Sequence, residues 1–111
     1  NRVISTVHGP GYSGGDSIGD TLVNFDAPFS DDFHVYSVDH APDYLAFYAD
    51  DSLVFQIQKG SLSPDLDWVF NNSFFLLINL AVGGDFVGSP LVDSFPATML
   101  VNYVRVYTHV D

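Results

Sequence analysis

"FHVYSVDHAPDYLAFYADDSLVFQIQ", residues 33–58, holds three short runs rich in Val, Phe, Tyr and Leu, divided by Pro42-Asp43 and Asp50-Asp51. Such runs between turn-forming pairs read as strands. Proline presets its own φ, and aspartate can bond the backbone two residues on. The stretch therefore predicts an antiparallel meander, with strands over Phe33 to His40, Tyr44 to Ala49 and Ser52 to Gln58.

Working outward, Arg2 to His8 reads as a strand stopped by Gly9-Pro10-Gly11. Residues 9–31 form a Gly- and Asp-rich connection holding one short strand around Thr21 to Phe25. Residues 59–73 read as a loop containing Trp68. Phe74 to Val82, "FFLLINLAV", is apolar on both faces, as expected of a strand buried between two layers. Gly83-Gly84 ends that run, and an irregular stretch continues through Pro90 and Pro96. Leu100 to Val110 then alternates, with Tyr103, Arg105 and Tyr107 on one face and Val104 and Val106 on the other, a half-buried strand. No helix or repeat emerges, so the class is all-β and the architecture a two-layer sandwich.

Composition narrows the function. The 111 residues are one domain's worth, 47% of them apolar, and no window reaches the roughly 18 uncharged apolar residues of a membrane span. The formal charge is −11, with Arg2, Lys59 and Arg105 as the only Lys or Arg residues. Such a chain repels nucleic acid, an anionic membrane surface and a sulfated polymer. A neutral substrate fits better, and the charge also serves solubility in a salty habitat. All 14 acidic residues are aspartate, which suits turns more than helices. There is no cysteine, so disulfides, zinc–thiolate sites and cysteine nucleophiles are excluded. No signal or transit peptide is visible; Asn1 leads straight into strand-like sequence, as if the chain continued a larger one.

Four groups of residues could carry chemistry. "VHGPGYSGG", residues 7–15, sets His8 beside a glycine loop. The loop lacks the lysine and helix start of a phosphate cradle, and Ser13 is not in a G-x-S-x-G elbow. Glycines supplying positive φ around a strand-end histidine are the plainer reading. Asp31-Asp32 and Asp50-Asp51 sit at turns, and no carboxylate pair falls at glycosidase spacing on one strand face. His8, His34, His40 and His109 share no ligand spacing. Tyr12, Trp68 and Phe86 are loop aromatics that could stack on sugar rings or plug the end of a core. Asn71-Asn72-Ser73 also matches a glycosylation sequon.

Read in order, "TVHGPGYSGG" (6–15), "FHVYSVDHAPDYLAFYADD" (33–51), "FFLLINLAVGGDFVGSP" (74–90) and "FPATMLVNYVRVY" (95–107) resemble the C-terminal half of bacterial laminarinase-like members of glycoside hydrolase family 16. The resemblance implies a partial, concanavalin A-like β-jelly roll of two antiparallel sheets, the concave one forming a glycan cleft. It implies part of a secreted, retaining endo-β-1,3(4)-glucanase acting on a neutral β-glucan. The family's two catalytic glutamates lie in an E-x-D-x-x-E strand just upstream of the first block. This chain holds no glutamate, so no catalytic residue is expected in it, and the partner it implies is the missing N-terminal half of the same domain.

Carried over by position, His8 would stand on the strand next to the catalytic one, with Tyr12 and Ser13 on the loop rimming the cleft. Asn79 would lie on a concave-sheet strand. Phe86 stands where the family usually has a tryptophan, and His40 replaces another. Asn102 replaces an aspartate that helps many members hold a structural calcium ion, which weakens the ligand set here. A non-catalytic β-glucan-binding jelly roll is the alternative implied.

Overall fold

The computed structural model describes residues 1–110, which divide into two units, Asn1–Ser73 and the residues from Phe74 onward. The first unit carries all five strands found among the described residues: β1 (Arg2–Val7), β2 (Ile18–Val23), β3 (Tyr36–Ala41), β4 (Tyr44–Ala49) and β5 (Ser52–Gln58). β1 and β2 form a two-stranded antiparallel sheet; β3, β4 and β5 form a three-stranded antiparallel meander. The all-β, two-sheet reading stands. β4 and β5 have the expected bounds, whereas β3 begins at Tyr36 and β2 spans Ile18–Val23. Among the described residues, no helix is long and apolar enough to cross a membrane.

Register explains which faces are buried. Leu45 opposes Ile57 and Phe47 opposes Phe55, so these four side chains share one face of the meander. The Phe47 and Phe55 rings stack, with centroids 6.1 Å apart. This face meets Val7 of β1 and Ile18 of β2, themselves register partners, together with Tyr12 and Phe70. Inward Val3, Ser5 and Val7 alternate with outward Ile4 and Thr6 along β1, as a half-buried strand requires. Between Phe47/Phe55 and Tyr48/Leu53 the register shifts, and the extra residue Val54 is buried.

One aspartate ties down an end of the meander. Asp50 stands at φ +52°, a conformation that non-glycine residues seldom adopt. Its amide donates to the Val35 carbonyl (2.7 Å), and its carboxylate takes the Val35 N–H (2.9 Å) and His34 Nδ1 (2.7 Å). The His34 ring packs edge-on to Phe29 and tilts against Tyr36. The turn is thus stitched to the residues leading into β3, not merely closed between β4 and β5.

Residues 74–110 correct two expectations. Phe74 to Val82 forms no strand, and its side chains lie open, Phe75 at 86%. Leu100 to Val110 forms no strand either, although the Arg105 guanidinium sits 4.2 Å over the Tyr103 ring, in keeping with one shared face. The physical reason is common to both. A run apolar on both faces becomes a strand only beside ladder partners and between covering layers, and residues 74–110 by themselves supply neither. They form instead a Gly84–Gly88 bridge and a single-turn 3-10 helix at Val92–Ser94.

The hydrogen bonds from His34 and Val35 hold the Asp50 carboxyl below its ordinary value. A lowered folded-state value stabilises the fold above the unfolded value near 3.8, and that contribution is lost as pH falls through the folded one. Asp50→Asn should therefore show a shallower loss of Tm than the parent chain between about pH 4 and pH 2, followed by circular dichroism. Parallel Tm–pH curves for the two proteins would contradict this role.

Candidate functional site

The glycine loop is a built turn. Gly9-Pro10-Gly11-Tyr12 closes with mutual backbone bonds between Gly9 and Tyr12 of 3.0 and 3.1 Å. Proline at the second position and Gly11 at φ +82° are the signature of a type II turn. A Cβ on Gly9 would collide with the Tyr12 ring, and one on Gly11 would come within 2.8 Å of Leu66 Cδ2. The glycines are therefore fixed by what packs on them: Tyr12 folds back over its own turn, and the 59–73 loop closes against the far side.

Tyr12 is the most deeply placed large side chain among the described residues, at 1% exposure. Its hydroxyl donates to the Asp67 carbonyl (2.8 Å), and its ring meets Phe70 edge-on. Burial holds its phenol above the ordinary value, with the backbone of Val69 opposing. Of the two readings open to this loop aromatic, core filling is the one seen within residues 1–73, because the type II turn aims the ring inward. Trp68 is half-buried, its ring perpendicular to Phe70 at 4.8 Å, and it lines an open cavity of about 560 Å³. Its indole Nε1 is sealed and has no hydrogen-bond partner.

His8 lies just past the end of β1, exposed, on the outward side shared with Ile4 and Thr6. The Thr6 hydroxyl lies 3.2 Å from His8 Nε2. Ser13 is exposed and precedes the 3-10 turn Gly14–Asp16 without capping it through its side chain. His8 and Ser13 are therefore accessible, whereas Tyr12 between them is not. His40 is exposed on β3, opposite Leu45.

In residues 74–110, Asn79 and Asn102 are exposed outside any strand. Phe86 stands at the tip of the Gly84–Gly88 loop, closed by backbone bonds of 2.7 and 3.1 Å, and is 83% exposed. Among the three loop aromatics it is the one held out in solvent. No three His or Asp side chains gather to hold a metal among the described residues.

Two polar pairs escaped sequence reasoning. His34–Asp50 joins residues 16 apart, and Tyr44 donates to Asp39 Oδ2 at 2.7 Å across a strand pair. That bond and the Asp39 charge hold the Tyr44 phenol above its ordinary value. The β3–β4 register, fixed by the two-residue Pro42-Asp43 loop, was the available signal for the second pair. For the first, only the unusual φ at Asp50 points to it.

Residues 1–81 match the model of the glycosyl hydrolases family 16. The chain is 41% identical over 86 residues to a beta-glucanase of Rhodothermus marinus, covering 72% of this chain and 30% of that protein. It is 38% identical over 86 residues to glucan endo-1,3-beta-glucosidase A1 of Niallia circulans, covering 71% and 13%. It is 35% identical over 72 residues to a beta-1,3-glucan-binding protein of Penaeus monodon, covering 50% and 20%. The chain spans less than a third of the length of each of these relatives. No solved structure matches it.

The packing around Tyr12 predicts a graded series in urea denaturation. Tyr12→Phe, which deletes the bond to the Asp67 carbonyl, should cost about 1 kcal/mol. Tyr12→Ala should cost about 3–5 kcal/mol through the cavity it leaves. Gly9→Ala should be more damaging than Gly15→Ala, since a Cβ at Gly15 meets nothing within 4 Å. Equal stabilities across the series would place Tyr12 outside the core.

Proposed function

The chain belongs to glycosyl hydrolase family 16, and from that premise we propose that it supplies part of a jelly roll that recognises a neutral β-glucan. The observation that carries this reading is the overlap between the family match and the accessible edge of β1. Residues 1–81 match, and within them the exposed side chains of His8, at the end of β1, and Ser13 border a rigid turn. A chain of net charge −11 with three Lys or Arg residues suits an uncharged polymer. Two relatives are named as a beta-glucanase and a glucan endo-1,3-beta-glucosidase, which supports an endo-β-1,3(4)-glucanase as the parent activity.

In this reading the 111 residues bind and orient glucan and do not cleave it. Retaining glycosidases use two carboxyl groups about 5 Å apart, one as nucleophile and one as acid/base. The family places glutamates in those roles within E-x-D-x-x-E, and this sequence has no glutamate. The chemistry then comes from a strand outside these residues, in the N-terminal part of the same domain. Exposed Phe75, Leu77 and Val82 support the same idea, since further strands would cover them. A polymeric glucan substrate makes the working location extracellular. A non-catalytic glucan-binding module is the second reading, favoured by the Penaeus monodon relative, which is named a beta-1,3-glucan-binding protein.

Affinity electrophoresis of the 111-residue chain in gels containing laminarin tests the recognition step. Retarded migration is expected, reduced in His8→Ala, with no reducing-end release by the chain alone. Migration identical with and without laminarin would overturn the proposal. Adding a polypeptide that carries the E-x-D-x-x-E strand separates the two readings. Restored release of reducing ends identifies a part of an enzyme, and binding without release identifies a binding module.

A further inference from the structure

The cavity beside Trp68 is not accounted for by the β1 edge. It lies within the 59–73 loop and has a volume of about 560 Å³, inside the roughly 300–1,000 Å³ typical of small-ligand sites. The loop that frames it is pinned along its length. The Lys59 amide donates to the Asp43 carbonyl (2.7 Å), Leu66 N to Ser63 O (2.9 Å), and Asn72 to Val69 O through both its amide (3.2 Å) and its Nδ2 (2.8 Å). Tyr12 holds the middle through the Asp67 carbonyl. A site held this way needs little ordering when a ligand enters.

Its lining is chemically mixed. Trp68 and Leu66 offer apolar surface; Lys59, Asp67, Ser63 and Asn72 offer polar groups. Lys59, one of the three Lys or Arg residues in the chain, enters no ion pair among the described residues. With its Nδ2 turned to Val69, Asn72 has its side-chain oxygen free to accept. One ammonium and one carboxylate balance, so neither a strong anion nor a strong cation is favoured. Donors and acceptors around an aromatic wall match a ring that is apolar on its faces and hydroxylated at its edge.

We propose that this cavity is a second carbohydrate site, taking one or two neutral pyranose units against Trp68, apart from the His8 edge of β1. The inference rests on the β-glucan reading and deepens it, by adding a second grip on the polymer.

Trp68 is the single tryptophan of the chain, so its emission reports this wall alone. Titration with laminaritriose should give a saturable change in Trp68 emission. Lys59→Met combined with Asn72→Ala should raise the midpoint about tenfold, the loss of one or two modest hydrogen bonds. Lys59 and Asn72 are both exposed, and the Asn72 amide keeps its bond to the Val69 carbonyl when the side chain is removed, so the far-UV circular dichroism of the double variant should match the parent. His8→Ala should leave the midpoint unchanged. If laminarin still retards the chain in gels while Trp68 emission stays constant, the glucan reading stands and the second site is overturned. An unchanged midpoint in the folded double variant overturns it equally. Loss of both retardation and emission change overturns the glucan reading together with the second site.

Discussion

A single ring, Tyr12, joins the parts of residues 1–73 that no strand ladder connects. β1 and β2 form one sheet and β3 to β5 another, and neither hydrogen-bonds to the other. Tyr12 sits where both meet the 59–73 loop, in one core with Val7, Leu45, Ile57 and Phe70, and it donates to Asp67 from 55 residues away. Apolar packing is non-directional and would tolerate several seatings of the two sheets. A buried hydroxyl with one acceptor in reach tolerates far fewer. The Pro10-Gly11 turn makes this possible by sending the ring back over Gly9, so the glycine loop serves the core and the exposed face at once.

That dual service alters the meaning of the loop. Gly9 and Gly11 are required by Tyr12 and Leu66, whereas Gly14 and Gly15 face open space. Accessibility falls to its flanks, His8 before and Ser13 after. The turn between these two exposed polar side chains is held by the paired backbone bonds of Gly9 and Tyr12.

The meander was legible because its partners are adjacent in sequence. Pro42-Asp43 and Asp50-Asp51 fix where one strand stops and the next begins, and β4 and β5 follow with their expected bounds, the bulge at Val54 being the one departure in register. The inward or outward fate of a loop aromatic was not legible. Tyr12, Trp68 and Phe86 all lie in glycine- or aspartate-rich loops, yet Tyr12 is buried, Trp68 is half-buried and Phe86 is in solvent. The difference lies in turn geometry. A type II turn returns its last residue toward the strand it left, whereas the Gly84–Gly88 loop holds Phe86 at its apex. Motif composition alone does not separate these cases; the place of the ring within its closed turn does.

The failed strand over Phe74 to Val82 follows from the same locality. Each observed strand pairs with one reached through a connection of two residues, or of ten in the case of β1 and β2. Closing such loops costs little chain entropy, and the ladder bonds repay it at once. "FFLLINLAV" carries no turn signal that would bring a neighbour alongside from within residues 74–110, so its backbone groups find no ladder there. Hydrophobicity marks the segment as something to be covered and cannot by itself say by what. A chain of this class therefore reveals its hairpins from sequence, while a strand meant for a sheet interior is specified jointly by its own side chains and by partners distant along the polypeptide.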